Sequence, residues 1–67
     1  MYVVDARGLS CPEPVILTQS ALKNNKGAVK VLVSEPYQKV NVEKFAKSQG
    51  KNVTAKEVGS EFELIIE

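Results

Sequence analysis

The chain has 67 residues, of which 43% are hydrophobic and 25% charged, and a formal net charge of +1. That is ordinary globular composition, enough for a single domain over residues 1–67, and the charge gives no indication of a nucleic-acid partner. With no histidine and one cysteine, a His-based metal or haem site, a thiolate cluster and an intrachain disulfide are all excluded.

No apolar run approaches the ~20 residues that span a membrane, so no membrane association is expected. Met1 leads directly into a strand-like run without a signal peptide, and a lone thiol suits a reducing compartment. A cytoplasmic location is therefore expected.

Tyr2-Val3-Val4-Asp5 is a short β-branched run and reads as the first strand. Gly8 supplies a flexible turn after it. Asp5 closes the strand, and from the residues alone it reads as a turn-capping carboxylate.

Gly8-Leu9-Ser10-Cys11-Pro12-Glu13-Pro14 follows, and it holds the only cysteine. The spacing predicts a helix from about Pro12 to Asn24, with Cys11 at the N-cap and Pro12 at the first helical position. Pro14 falls where an N–H has no intrahelical acceptor, so neither proline costs the helix a bond. A thiol at this place meets the positive end of the helix dipole, worth ~0.3–1 kcal/mol, which favours the nucleophilic thiolate. Glu13 opposes the effect with its charge, while its N–H reads as the nearest free donor. Arg7 and the lysines are the candidate cationic neighbours.

Pro14, Val15, Leu17, Thr18, Ala21 and Leu22 fall on one arc of the helix and form its expected core face. Ile16 lies toward the polar side, either as a single exposed apolar residue or as a partner contact about one turn beyond Cys11.

Asn24-Asn25-Lys26-Gly27 stops the helix. Ala28 to Ser34 is the second strand, with Val29, Val31 and Val33 on one face. Strand, helix and strand at this spacing make a βαβ unit with parallel strands, and place Cys11 at the sheet edge where α/β folds bind ligands. Glu35-Pro36-Tyr37-Gln38-Lys39 reads as a second loop, and Asn41 as the N-cap of a helix of about eight residues ended by Gly50. Val40 and Phe45 flank that cap as a staple, and Val42, Phe45, Ala46 and Gln49 share a face. Lys39, Lys44, Lys47 and Lys51 make either a solvated face or a docking surface for an acidic partner.

Asn52 to Val58 and Glu61 to Ile66 form a hairpin around Gly59-Ser60. Pairing Val58 with Glu61 sets Ala55 opposite Leu64 and Val53 opposite Ile66 on the core face, and Lys56 opposite Glu63 on the other. The expected fold is α+β: a two-layer α/β sandwich of order βαβαββ, with both helices on one face of a mixed four-stranded sheet.

Asp5-Ala6-Arg7-Gly8-Leu9-Ser10-Cys11-Pro12-Glu13-Pro14-Val15 resembles the signature of the TusA/SirA-like sulfur-carrier family, Gly-Leu-x-Cys-Pro-x-Pro after a first strand. Ser34-Glu35-Pro36 stands where that family often has Asp-Asp-Pro, and the resemblance covers essentially the whole chain. Ser34 and Asn41 replace an Asp found in many carriers. Asn41-Val42 ahead of an aromatic-containing helix is similar to the N-terminal domain of YedF-type proteins, which are associated with selenium metabolism.

The resemblance implies strand order 1-2-4-3 and a sulfurtransferase-like carrier that works with partner enzymes rather than as an autonomous enzyme. It implies that Cys11 relays sulfane sulfur, or selenium, as a persulfide from a cysteine desulfurase or other donor to an acceptor protein. Asp5, Arg7, Gly8, Pro12, Glu13 and Pro14 would support the thiol, with Glu35 and Pro36 from the second loop; neither cofactor nor metal is implied. The chemistry suits a chain with one thiol and no second cysteine to resolve a persulfide into a disulfide. The competing expectation is a non-catalytic regulatory or interaction domain that keeps the Cys-Pro-x-Pro stretch as a helix start.

Overall fold

The computed structural model describes residues 2–10 and 13–67; Met1, Cys11 and Pro12 lie outside the described residues. The expectation that Cys11 caps the first helix with Pro12 behind it falls on that segment. In chain order the elements are β1 (Tyr2–Asp5), α1 (Glu13–Asn24), β2 (Val29–Val33), α2 (Pro36–Ser48), β3 (Val53–Val58) and β4 (Glu61–Ile66). The strands form one sheet ordered β1-β2-β4-β3. β1 runs parallel to β2, and β4 is antiparallel to both β2 and β3. This is the expected βαβαββ sandwich.

The period-2 alternation of the strands selects the core face. Val29, Val31 and Val33 of β2 are buried while Lys30 and Leu32 between them are half-buried. Across the sheet, Val31 lies beside Leu64 and Leu64 beside Ala55, and Val29 beside Ile66 and Ile66 beside Val53. The helices cover this face. Pro14, Thr18 and Ala21 of α1 and Gln38, Val42 and Ala46 of α2 are buried, and Ala21, Val42 and Ala46 join the strand valines, Leu64 and Ile66 in one core. The buried Thr18 hydroxyl donates to the Pro14 carbonyl at 2.8 Å, so its burial leaves no unmet donor.

The hairpin register is as expected, from Val58–Glu61 through Val53–Ile66. At its turn Gly59 has φ 62°, and among the described residues no non-glycine has positive φ. A two-residue loop with positive φ at its first position alone is the II′ pattern, whose twist matches the strands it joins.

Three expectations are corrected. The second helix starts at Pro36, with Glu35 as its N-cap; Glu35 and Pro36 are therefore a helix start rather than a loop, and Asn41 lies within the helix. Proline at the first helical position spends no hydrogen bond, the same device read at Pro12. Glu35 makes no side-chain cap bond, so its carbonyl alone starts the ladder, accepting from the Gln38 and Lys39 N–H groups at 3.1 and 3.2 Å. Gln49 is the C-cap and exposed.

Leu17 is exposed rather than part of the core face, because β1 is the sheet edge and Leu17 borders an open cleft beside Tyr2, Val3 and Val4. Lys56 and Glu63 are register partners, but the ion pair of Glu63 is with Lys30 on its other side, at 3.4 Å. Of the lysine cluster, Lys47 pairs with Glu43 at 3.5 Å and Lys39 sits 5.6 Å from the Phe62 ring centre.

α2 ends in a Schellman motif. Gly50 has φ 77°, its N–H donates to the Lys47 carbonyl at 3.0 Å, and the Lys51 N–H donates to the Ala46 carbonyl at 3.1 Å. A Cβ at Gly50 would meet nothing within 4 Å, so the cost of a side chain is purely conformational. Gly50→Ala is expected to destabilise the protein by ~1 kcal/mol, read as a lower urea midpoint at unchanged slope. An unchanged midpoint would show that the left-handed turn does not hold the helix end.

Candidate functional site

Because β1 and β2 are parallel, their carboxyl ends meet at one edge of the sheet, and the two helices begin just beyond it. The segment leading to Cys11 lies along this edge. The Ala6 N–H donates to the Leu32 carbonyl at 2.8 Å, which extends the parallel ladder by one step. Gly8 then turns the chain with φ 79°, in the region open to glycine, and its N–H donates to the Ser34 hydroxyl at 3.1 Å. Leu9 packs against the core, and its carbonyl accepts from Gln38 Nε2. One backbone bond, at Ala6, therefore ties this segment to the end of β2, and side chains from the β2–α2 connection and the first turn of α2 hold Gly8 and Leu9.

Beyond Leu9, the Glu13 N–H donates to the Ser10 carbonyl at 2.9 Å. The expectation of a free Glu13 donor for the thiol is thereby corrected. Pro12 and Pro14 carry no N–H, so Glu13 supplies the donor that closes this turn. Glu13 itself is exposed and Pro14 is buried. Ile16 is 53% exposed, as both readings of it require.

Asp5 and Arg7 form a clamp beside this segment. The Asp5 carboxylate accepts from the Arg7 backbone N–H at 3.2 Å, the turn cap expected of it. It also accepts from Arg7 Nε and Nη2, both at 2.8 Å. Arg7 Nη1 donates to Glu61 at 3.1 Å, which joins the end of β1 to the start of β4. The guanidinium, expected as a cationic neighbour for the thiol, thus already faces two carboxylates. Those exposed pairs contribute little to stability on their own.

Hydrogen bonds from the Arg7 side chain, then from its backbone, lower the Asp5 pKa to about 2, and the same pairing holds Arg7 more firmly protonated. The sign follows: a depressed carboxyl pKa adds stability above the ordinary value near ~4, lost as pH falls through about 2. An NMR titration of the Asp5 carboxyl is expected to give a midpoint of about 2, and Arg7→Ala should return it to the ordinary range near ~4. An ordinary midpoint in the parent protein would show that the clamp does not persist in solution.

Of the expected site residues, Asp5, Arg7, Gly8, Glu13 and Pro14 flank the Cys11 segment in the chain. Glu35 and Pro36 stand at the start of α2, the helix whose first turn reaches Leu9. Sequence reasoning missed Gln38, and it saw Ser34 only as a departure. A glutamine three residues after a Glu-Pro helix start was the available signal for Gln38, hidden while that stretch was read as a loop. Among the described residues no cluster of carboxylates could hold a metal ion, and no helix is long and apolar enough to cross a membrane.

A family model described as sulfurtransferase TusA matches residues 2–67. A crystal structure of a SirA-like protein from Desulfitobacterium hafniense superposes with a TM-score of 0.92 at 31% sequence identity, covering 98% of this chain and 95% of that one. No curated protein matches significantly.

Proposed function

This chain belongs to the TusA sulfurtransferase family, and on that premise we propose that it relays sulfur as a persulfide on Cys11. Proteins of this family carry sulfur between other proteins, so this is a sulfur-carrier domain. One observation supports Cys11 above all. The only cysteine of the chain directly follows a segment fastened to β2 and to the first turn of α2.

In the proposed step the Cys11 thiolate attacks the outer sulfur of a donor persulfide. The new S–S bond forms on Cys11 as the donor's own S–S bond breaks, and the donor leaves as a thiolate carrying the electron pair. Delivery repeats the exchange toward an acceptor, with no external oxidant or reductant at either step. A cysteine desulfurase is the proposed donor class and a second protein the acceptor. Selenium would travel by the same exchange, and Asn41-Val42 is the feature that favours testing it.

Activation is expected to be modest. The helix end contributes ~0.3–1 kcal/mol, Glu13 opposes it, and Arg7 is paired elsewhere. A partner that completes the site then supplies the rest of the activation, which protects a carrier from wasteful oxidation. The test is mass spectrometry after incubation with a desulfurase and cysteine, and separately with a selenium donor. A reductant-reversible gain of one sulfur atom is expected. No gain from several donors would favour an interaction domain that keeps Cys-Pro-x-Pro as a helix start.

A further inference from the structure

Gln38 is 1% exposed, one of only two buried polar or charged residues among the described ones. It occupies the third position of α2 after the N-cap Glu35. A glutamine there ordinarily reaches back to the N-cap N–H and closes a capping box. Here it does not: its Nε2 donates to the Leu9 carbonyl, and its Oε1 is buried with no hydrogen-bond partner among the described residues. Burying an amide with half its capacity unused costs stability, and an apolar side chain of similar length would avoid that cost. What glutamine adds is a donor to a backbone carbonyl two residues before Cys11 in the chain.

From these observations we propose that Gln38 is a positioning residue for Cys11. It fixes the Leu9 carbonyl and so the path by which the chain enters Ser10 and Cys11, with the Gly8–Ser34 bond as the second fixed point. This rests on the carrier reading for its purpose, though not for its test. The reactivity of a thiol depends on its surroundings, so the approach of the chain to it matters. The glutamine sits on a helix in a buried setting and therefore holds that approach more rigidly than an exposed loop contact would.

The test replaces Gln38 with Met, which keeps length and removes the donor, and with Asn, which keeps the amide and falls short of Leu9. In each folded variant the pH dependence of Cys11 alkylation by iodoacetamide is measured. Sulfur loading by a desulfurase is measured beside it. Both variants are expected to shift the thiol pKa upward by about half a unit and to slow loading on the order of tenfold. A purely structural role would lower the unfolding midpoint and leave the alkylation profile of the native protein in place. An unchanged profile in whichever variant folds overturns the proposal. If the parent protein takes up no sulfur at all, the carrier reading fails, and the alkylation profile still decides the role of Gln38.

Discussion

Cys11→Ser is expected to abolish sulfur uptake completely while the protein keeps its fold. A hydroxyl cannot hold a sulfane sulfur, and the chain has no second thiol to take over. Stability should change little, because the described core is built from Val4, Ala6, the β2 valines, Leu64, Ile66 and residues of the two helices. The measurement pairs intact mass after desulfurase treatment with a urea unfolding curve. Parent protein should gain one sulfur and the serine variant none, with unfolding midpoints close together. A gain that persists in the serine variant would mean that sulfur is held elsewhere, and would end the assignment of Cys11 as carrier.

The largest loss of stability is expected from Leu64→Ala. Leu64 is fully buried on the central strand β4, between Val31 of β2 and Ala55 of β3. Removing a buried leucine costs ~2–5 kcal/mol, since the lost contacts and the residual cavity add. A domain of this size has a total of only ~3–10 kcal/mol at ~0.05–0.15 kcal/mol per residue, so one substitution takes a large share of it. Val58→Ala, at a half-exposed position on the open sheet face, should stay within about 0.5 kcal/mol of the parent. Urea midpoints followed by circular dichroism give both values. Equal losses at the two positions would show that the core is not where the burial pattern puts it.

Most of this fold was legible where one local rule governs. The hairpin register follows from alternation and a two-residue turn, and every expected pair from Val58–Glu61 to Val53–Ile66 is present. The first helix and the parallel βαβ unit were equally plain. Legibility failed where a residue has two neighbours and the sequence announces one. Glu63 has Lys56 opposite it in the hairpin, yet β4 is central, and Lys30 on the far side makes the ion pair. The start of α2 was missed because Asn41 looks like a cap and Glu35 does not, although Pro36 carried the same message as Pro12. The Glu13 N–H looked free because its partner, the Ser10 carbonyl, is a backbone group three residues earlier that no side-chain pattern announces. Gln38 shows the same limit, since nothing in its neighbours points to a carbonyl 29 residues earlier.

The placement of β4 has a consequence for how the chain is made. β3 touches the sheet through β4 alone, and β4 follows it in the chain. A growing polypeptide therefore completes β3 before the strand it pairs with exists. Until then β2 lacks its antiparallel neighbour, and the core lacks Leu64 and Ile66. Arg7 likewise waits for Glu61, 54 residues on, for the second of its two carboxylates. Contacts between parts of the chain this far apart come late and together, because each must offset the entropy of closing a long loop. The sheet and its core should thus reach their finished form only as β4 slots between β2 and β3, so that the last strand of the sheet to be made is also the one that closes it.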